Sequence, residues 1–106
     1  MDTEVELLKA LAEPTRLRLA VLLAHNGETC VCRLALALAA PEFRISRHLA
    51  VMRARGLVRA RRQGTWMHYR LAKPRSELER WLQQCFRDCL ASHGTIKNAL
   101  ARLQVK

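Results

Sequence analysis

The stretch Pro41–Leu71 reads PEFRISRHLAVMRARGLVRARRQGTWMHYRL, and its periodicity changes once, at Gly56. Before the glycine, Ile45, Leu49 and Met52 recur at helical spacing, so one face of a helix opened by Pro41 turns inward. Arg44, Ser46, Arg47 and His48 fall off that face. After the glycine, apolar and polar residues alternate, which predicts two short strands around Gln63-Gly64. In the second strand Trp66, His68 and Arg70 share one face, and Met67, Tyr69 and Leu71 the other.

Working outward, the segment upstream predicts three helices. Val5, Leu7, Leu8 and Leu11 mark a short first one. EPTRLRLAVLLAHNG places Pro14 at a helix start and Gly27 just past its end. A third helix is expected to begin near Thr29 or Cys30 and run through RLALAL. Downstream, Ser76 and Glu79 predict a capping box. It opens a fifth helix with the stripe Leu78, Trp81, Leu82, Cys85, Phe86 and Cys89. Gly94 is expected to break it before a short sixth helix carrying Ile96, Leu100 and Leu103. Three helices, a basic helix, a basic hairpin and further helices make a mainly α fold with a small β-hairpin: a winged helix-turn-helix. The whole chain of 106 residues reads as one domain. Its helix-turn-helix lies at about 29–55 and its wing at about 57–71.

Charge points the same way. The net charge is +10, from 19 Lys and Arg against 9 Asp and Glu. Between Glu42 and Arg75 stand ten basic residues, nine of them arginine, and one acid. Arginine forks suit phosphates and guanine edges. The fourth helix offers Glu42, Phe43, Arg44, Ser46, Arg47 and His48 to a major groove. Arg61, Arg62 and Gln63 at the wing tip are placed for neighbouring phosphates or the minor groove. No apolar run reaches the roughly 18 residues of a membrane span. The acidic, amphipathic start is not that of a signal peptide. A cytoplasmic protein with reduced thiols is therefore expected.

The stretches LAEPTRLRLAVLL, GETCVCRL and ISRHLAVMRARGLVRARRQGTWMHYRL, in this order, resemble the ArsR (ArsR/SmtB) family of metal- and metalloid-responsive repressors, in particular its arsenite-responsive branch. The resemblance implies a homodimer built by the first and C-terminal helices, about 3–12 and 76–104. It also implies binding to palindromic double-stranded operator DNA and repression of a resistance operon until an inducer arrives. The inducer implied is trivalent arsenic or antimony, methylated arsenic included, with no permanent cofactor.

Within that resemblance, TCVCRL is similar to the cysteine motif of the arsenite-responsive members. Cys30 and Cys32 carry over as metal ligands. The third ligand position is Ala35 here, and Arg33 stands where relatives carry an acid. A neighbouring arginine would favour thiolate. Cys85 and Cys89, four apart on a helix, share a face and form a second candidate pair; packing is the competing role. Three arrangements stay open. One is a composite site joining Cys30 and Cys32 to Cys85 or Cys89, which is the preferred reading. The others are the Cys85/Cys89 pair acting alone on an organoarsenical, and Cys30/Cys32 acting alone. On a regular helix residues two apart diverge, so convergence of Cys30 and Cys32 is expected to require unwinding of the helix start.

Other functions fit less well. Zinc- and cadmium-sensing relatives use acids and histidines of the C-terminal helix, but Asp88 and His93 are five apart, a poor helical match. A thiol-oxidation switch keeps the fold and changes the trigger. An enzyme is not expected, because nothing is placed to orient a base beside a thiol. Packaging of DNA by charge alone would show binding without sequence preference. Trp66 and Tyr69 are expected to pack the wing rather than to stack on bases.

Overall fold

The computed structural model describes residues 1–104. The order is α1 (Asp2–Leu11), α2 (Pro14–Asn26), β1 (Thr29–Cys30), α3 (Val31–Leu38), α4 (Glu42–Ala54), β2 (Val58–Gln63), β3 (Trp66–Leu71), α5 (Glu77–Asp88) and α6 (Gly94–Gln104). This is a winged helix-turn-helix.

Helix ends follow local chemistry. Glu13 caps α2, its carboxylate accepting from the Arg16 amide at 2.8 Å, with Pro14 in the first turn. Gly27, at φ 73°, lets the chain turn out of α2. α3 ends at Ala39 in the left-handed region, φ 52° and ψ 46°. There the Ala40 amide donates to the Ala35 carbonyl at 3.0 Å, the wrap-around bond of a Schellman end. That tight end leaves Ala39, Ala40 and Pro41 to turn α3 into α4.

The core is one cluster. Leu19, Leu22 and Leu23 of α2, Leu34 of α3, and Ile45, Leu49 and Met52 of α4 are buried together with Val58 and Tyr69 of the sheet. The inward stripe read for α4 is thus the one observed. Leu82 and Phe86 bring α5 onto this core, and Ile96 and Leu103 bring α6.

Four expectations are corrected. The sheet has three strands in the order β1-β3-β2, not two. The third helix starts at Val31, because Thr29 and Cys30 pair with Tyr69 and His68 of β3 as a short strand. The capping box is half formed. Ser76 Oγ accepts from the Glu79 amide at 3.2 Å, but the Glu79 carboxylate accepts from the amide and guanidinium of Arg75 instead of the Ser76 amide. Gly94 does not break a helix but begins one, since α5 has already ended at Asp88.

α6 is bound to α3 within the protomer. Arg102 donates to the Ala37 carbonyl at 2.7 Å, and Arg33 donates to the Leu103 carbonyl. Each arginine satisfies a last-turn carbonyl of the other helix. Of the C-terminal helices, α5 keeps an outward apolar group, Trp81, 62 % exposed, as α1 does with Val5 and Leu8.

Candidate thiol site and nucleic-acid interface

The cysteines come together through the backbone of residue 30. Cys30 is the N-cap of α3, with extended φ −67° and ψ 142°. Its side chain swings back over the first turn and accepts from the Cys32 amide at 3.4 Å. The two sulfurs lie 2.6 Å apart. The expected unwinding is therefore not needed: Cys30 stands outside the helix already, so the rule that keeps neighbours two apart on opposite sides does not apply to it.

Burial is the main cause that pushes the Cys32 thiol above the usual range, followed by the thiol of Cys30 and, more weakly, the Glu42 carboxylate. The Arg33 amide acts the other way. The guanidinium of Arg33 reaches to the Leu103 carbonyl, and of Arg33 it is the amide that bears on Cys32. Cys85 is also pushed up, first by the thiol of Cys89 beside it, then by burial. Both pairs are free thiols.

No group of three His, Cys, Asp or Glu side chains converges among the described residues. The composite site is thus not formed within the protomer. It holds instead two separate dithiols, one at the start of α3 and one at the end of α5. Two soft sulfurs with no hard donor beside them fit a soft ion or metalloid better than a hard cation.

The Cys30/Cys32 pair sits at a junction. Cys30 belongs to β1, paired with His68 of the wing, and caps α3, which packs on α4. The pair therefore adjoins both the wing and the helix-turn-helix.

The reader itself is partly committed. Glu42, Phe43, Arg44 and Arg47 are exposed on the first two turns of α4. The Arg47 guanidinium lies 5.8 Å from the centre of the Phe43 ring. Ser46 is half-buried. His48 turns inward, against the sequence reading. Its Nδ1 lies 3.3 Å from Arg16 Nη1 and 3.7 Å from Glu13 Oε2, tying α4 to the start of α2. On the wing, Arg62 and Gln63 are exposed. Arg61 is gripped by Glu28, with Nη2 to Oε2 at 2.7 Å and Nε to both oxygens at 3.2 Å. That guanidinium holds the Glu28 carboxyl below its ordinary range. Glu28 is the residue that sequence reasoning missed: it is 33 positions from its partner, and no local pattern marks it.

The outer face of the hairpin sets Arg59 opposite Arg70. Like charges directly opposite disfavour a strand pair. A polyanion lying along this face would relieve them.

The model of the family described as "Bacterial regulatory protein, arsR family" matches residues 13–60. The chain is 50 % identical over 68 residues to the arsenical resistance operon repressor of Escherichia coli, a match covering 64 % of the chain and 58 % of that relative. It is 40 % identical over 94 residues to the arsenic resistance transcriptional regulator ArsR2 of Pseudomonas putida, covering 89 % of the chain and 79 % of the relative. Among solved structures it is similar to a homodimeric winged helix-turn-helix DNA-binding domain from Mycobacterium bovis. The TM-score is 0.67 at 34 % identity, over 80 % of this chain and 72 % of that one. Reduced HlyU of Vibrio cholerae superposes with a TM-score of 0.70 at 29 % identity, over 85 % and 86 % of the two chains. With helix-turn-helix, wing and paired thiols in one frame, the chain belongs to the arsR family of bacterial regulatory proteins.

Proposed function

We propose that this protein is a homodimeric repressor of a metalloid-resistance operon, working in the cytoplasm and released from double-stranded operator DNA when trivalent arsenic or antimony binds Cys30 and Cys32. The observation that carries the reading is the convergence of these two thiols at the junction of β1, α3 and the wing. The named functions of the Escherichia coli and Pseudomonas putida relatives support it.

Each thiol gives its proton to a departing hydroxide of the metalloid, which leaves as water while sulfur takes its place. Two thiols thus displace two hydroxides, and no electron changes hands. A methylated arsenical, with fewer exchangeable positions, is satisfied by the same pair. Once bonded, the Cys30 sulfur no longer serves as an undisturbed cap for α3, and its strand mates in β3 feel the shift. Release follows from the difference in ligand affinity between the DNA-bound and free conformations. Moving the reader from mostly bound to mostly free needs about 5 kcal/mol of that difference.

The DNA face comprises Glu42, Phe43, Arg44, Ser46 and Arg47 of α4 with Arg62 and Gln63 of the wing. Dimerisation uses α1 and α5, where Val5, Leu8 and Trp81 are exposed. The protein catalyses no reaction in this scheme and keeps no resident cofactor. Cys85 and Cys89 form a second dithiol available to the same inducers.

The test is fluorescence anisotropy of the reduced protein on labelled DNA from upstream of its own gene. Arsenite, antimonite, a trivalent methylarsenical, zinc and cadmium are titrated at fixed salt. Near-stoichiometric release by the trivalent metalloids is expected. Release by zinc or cadmium alone contradicts the reading. A second trigger has a specific observation in its favour, because thiols in contact also suit oxidation. Peroxide would take two protons and two electrons from the pair, giving a disulfide and two waters. Release by peroxide with no response to metalloid would select it.

A further inference from the structure

Phe43 is a large apolar ring, 63 % exposed, on the first turn of α4. Leaving such a side chain in water forgoes the gain of burying it. Of the other exposed large apolar groups, Met1 stands at the chain start, Val5, Leu8 and Trp81 on α1 and α5, Leu36 on α3, Val51 near the far end of α4 and Trp66 at the wing tip. Phe43 is the one at the end of the helix whose N-terminal residues reach base edges in this fold. It carries a cation with it: the Arg47 guanidinium, one turn on, lies 5.8 Å from the ring centre. Arg47 has no carboxylate partner among the described ion pairs.

The major groove shows one apolar feature, the thymine C5-methyl, and one acceptor pair made for a guanidinium, the guanine O6 and N7. Residues four apart on a helix are separated by about 6 Å along its axis. Stacked bases rise about 3.4 Å per step. A ring and a guanidinium so placed address base pairs one or two steps apart.

Resting on the repressor reading, we propose that Phe43 and Arg47 form one recognition unit. Phe43 covers a thymine methyl and Arg47 forks onto a guanine within two base pairs of it, in each operator half-site. The stacked ring holds the guanidinium ready for its base, so the two contacts are coupled.

The experiment uses the full chain and duplexes selected by it from a randomised pool. In the best duplex each thymine is replaced singly by uracil, which removes only the methyl. The replacements are assayed by anisotropy with wild type, Phe43→Ala and Phe43→Leu. One thymine per half-site is expected to lose about fourfold affinity as uracil, the value of one buried methyl group. That loss vanishes in Phe43→Ala and persists in Phe43→Leu, which keeps an apolar contact. Replacing the nearby guanine by 7-deazaguanine costs wild type at least about fivefold and Arg47→Ala nothing further. Because both side chains are exposed, the variants keep their thermal midpoint. Sequence-specific binding in which no uracil exchange matters, or in which the exchange still matters to Phe43→Ala, overturns the recognition unit alone. Wild-type binding without any sequence preference overturns it together with the repressor reading.

Discussion

At the scale of single residues, the chemistry turns on one backbone angle. Cys30 is extended and Cys32 is helical, so two thiols that a continuous helix would part meet over its first turn. The consequence is a slow thiol at Cys32 at neutral pH. Cys32 titrates above the ordinary thiol value because it is partly buried and faces Cys30. Its thiolate fraction, and with it the alkylation rate, therefore keeps rising with pH beyond the point where a free cysteine levels off. Cys30→Ser removes one of the raising groups and is expected to move the bimane alkylation profile of Cys32 to lower pH; an unchanged profile contradicts that cause. At Glu13 burial opposes ionisation, but the amides of Arg16 and Thr15 and the charges of His48 and Arg16 outweigh it, lowering the carboxyl. A carboxyl lowered on folding contributes stability above its unfolded value and loses it as pH falls through the folded one. Glu13→Ala is expected to cost about 1 kcal/mol at pH 7. Its deficit against wild type shrinks in acid, as read by thermal melts at pH 7 and pH 3.

At the scale of elements, α4 and the hairpin were legible because one change of period, at Gly56, separates them. α2 was legible because proline and glycine mark its ends. β1 was not. Two residues hold no strand by themselves, and Thr29-Cys30 become one only by pairing with Tyr69 and His68, about forty positions away. The convergence of the cysteines was hidden for the same reason, since it depends on whether the helix starts at residue 30 or 31, a boundary no propensity resolves. His48 looked like a reader residue from its place off the apolar stripe, and only the packed start of α2 shows that it is a tether. Two predictions belong here. Ala39 ends α3 at φ 52°, where a side chain is strained. Ala39→Gly relieves strain of about 1–2 kcal/mol, less the added freedom of the unfolded glycine, and is expected to raise the thermal midpoint by several degrees; a lower midpoint would contradict it. Glu28 occupies Arg61 at the wing. Glu28→Gln frees that cation, so DNA affinity rises at low salt and the slope of log affinity against log salt steepens by about one unit. An unchanged slope would show that Arg61 does not reach a phosphate.

At the scale of the whole molecule, α6 exchanges arginines with α3 inside the protomer, and the proposed dimer uses the exposed apolar groups of α1 and α5. Trp81→Glu is expected to shift the protein from dimer to monomer in sedimentation and to weaken operator binding far more than the loss of one surface ring would. Dimerisation sets the spacing of the two readers, and the two dithiols of each protomer lie on different elements. The central claim is that the pair at the start of α3 senses the inducer. The measurement that tests it most directly is arsenite-driven DNA release by wild type, Cys30→Ser/Cys32→Ser and Cys85→Ser/Cys89→Ser at matched DNA occupancy. The account predicts that the first double variant binds DNA and no longer lets go, while the second releases it as wild type does. Normal release by Cys30→Ser/Cys32→Ser would contradict it and move the sensor to the end of α5.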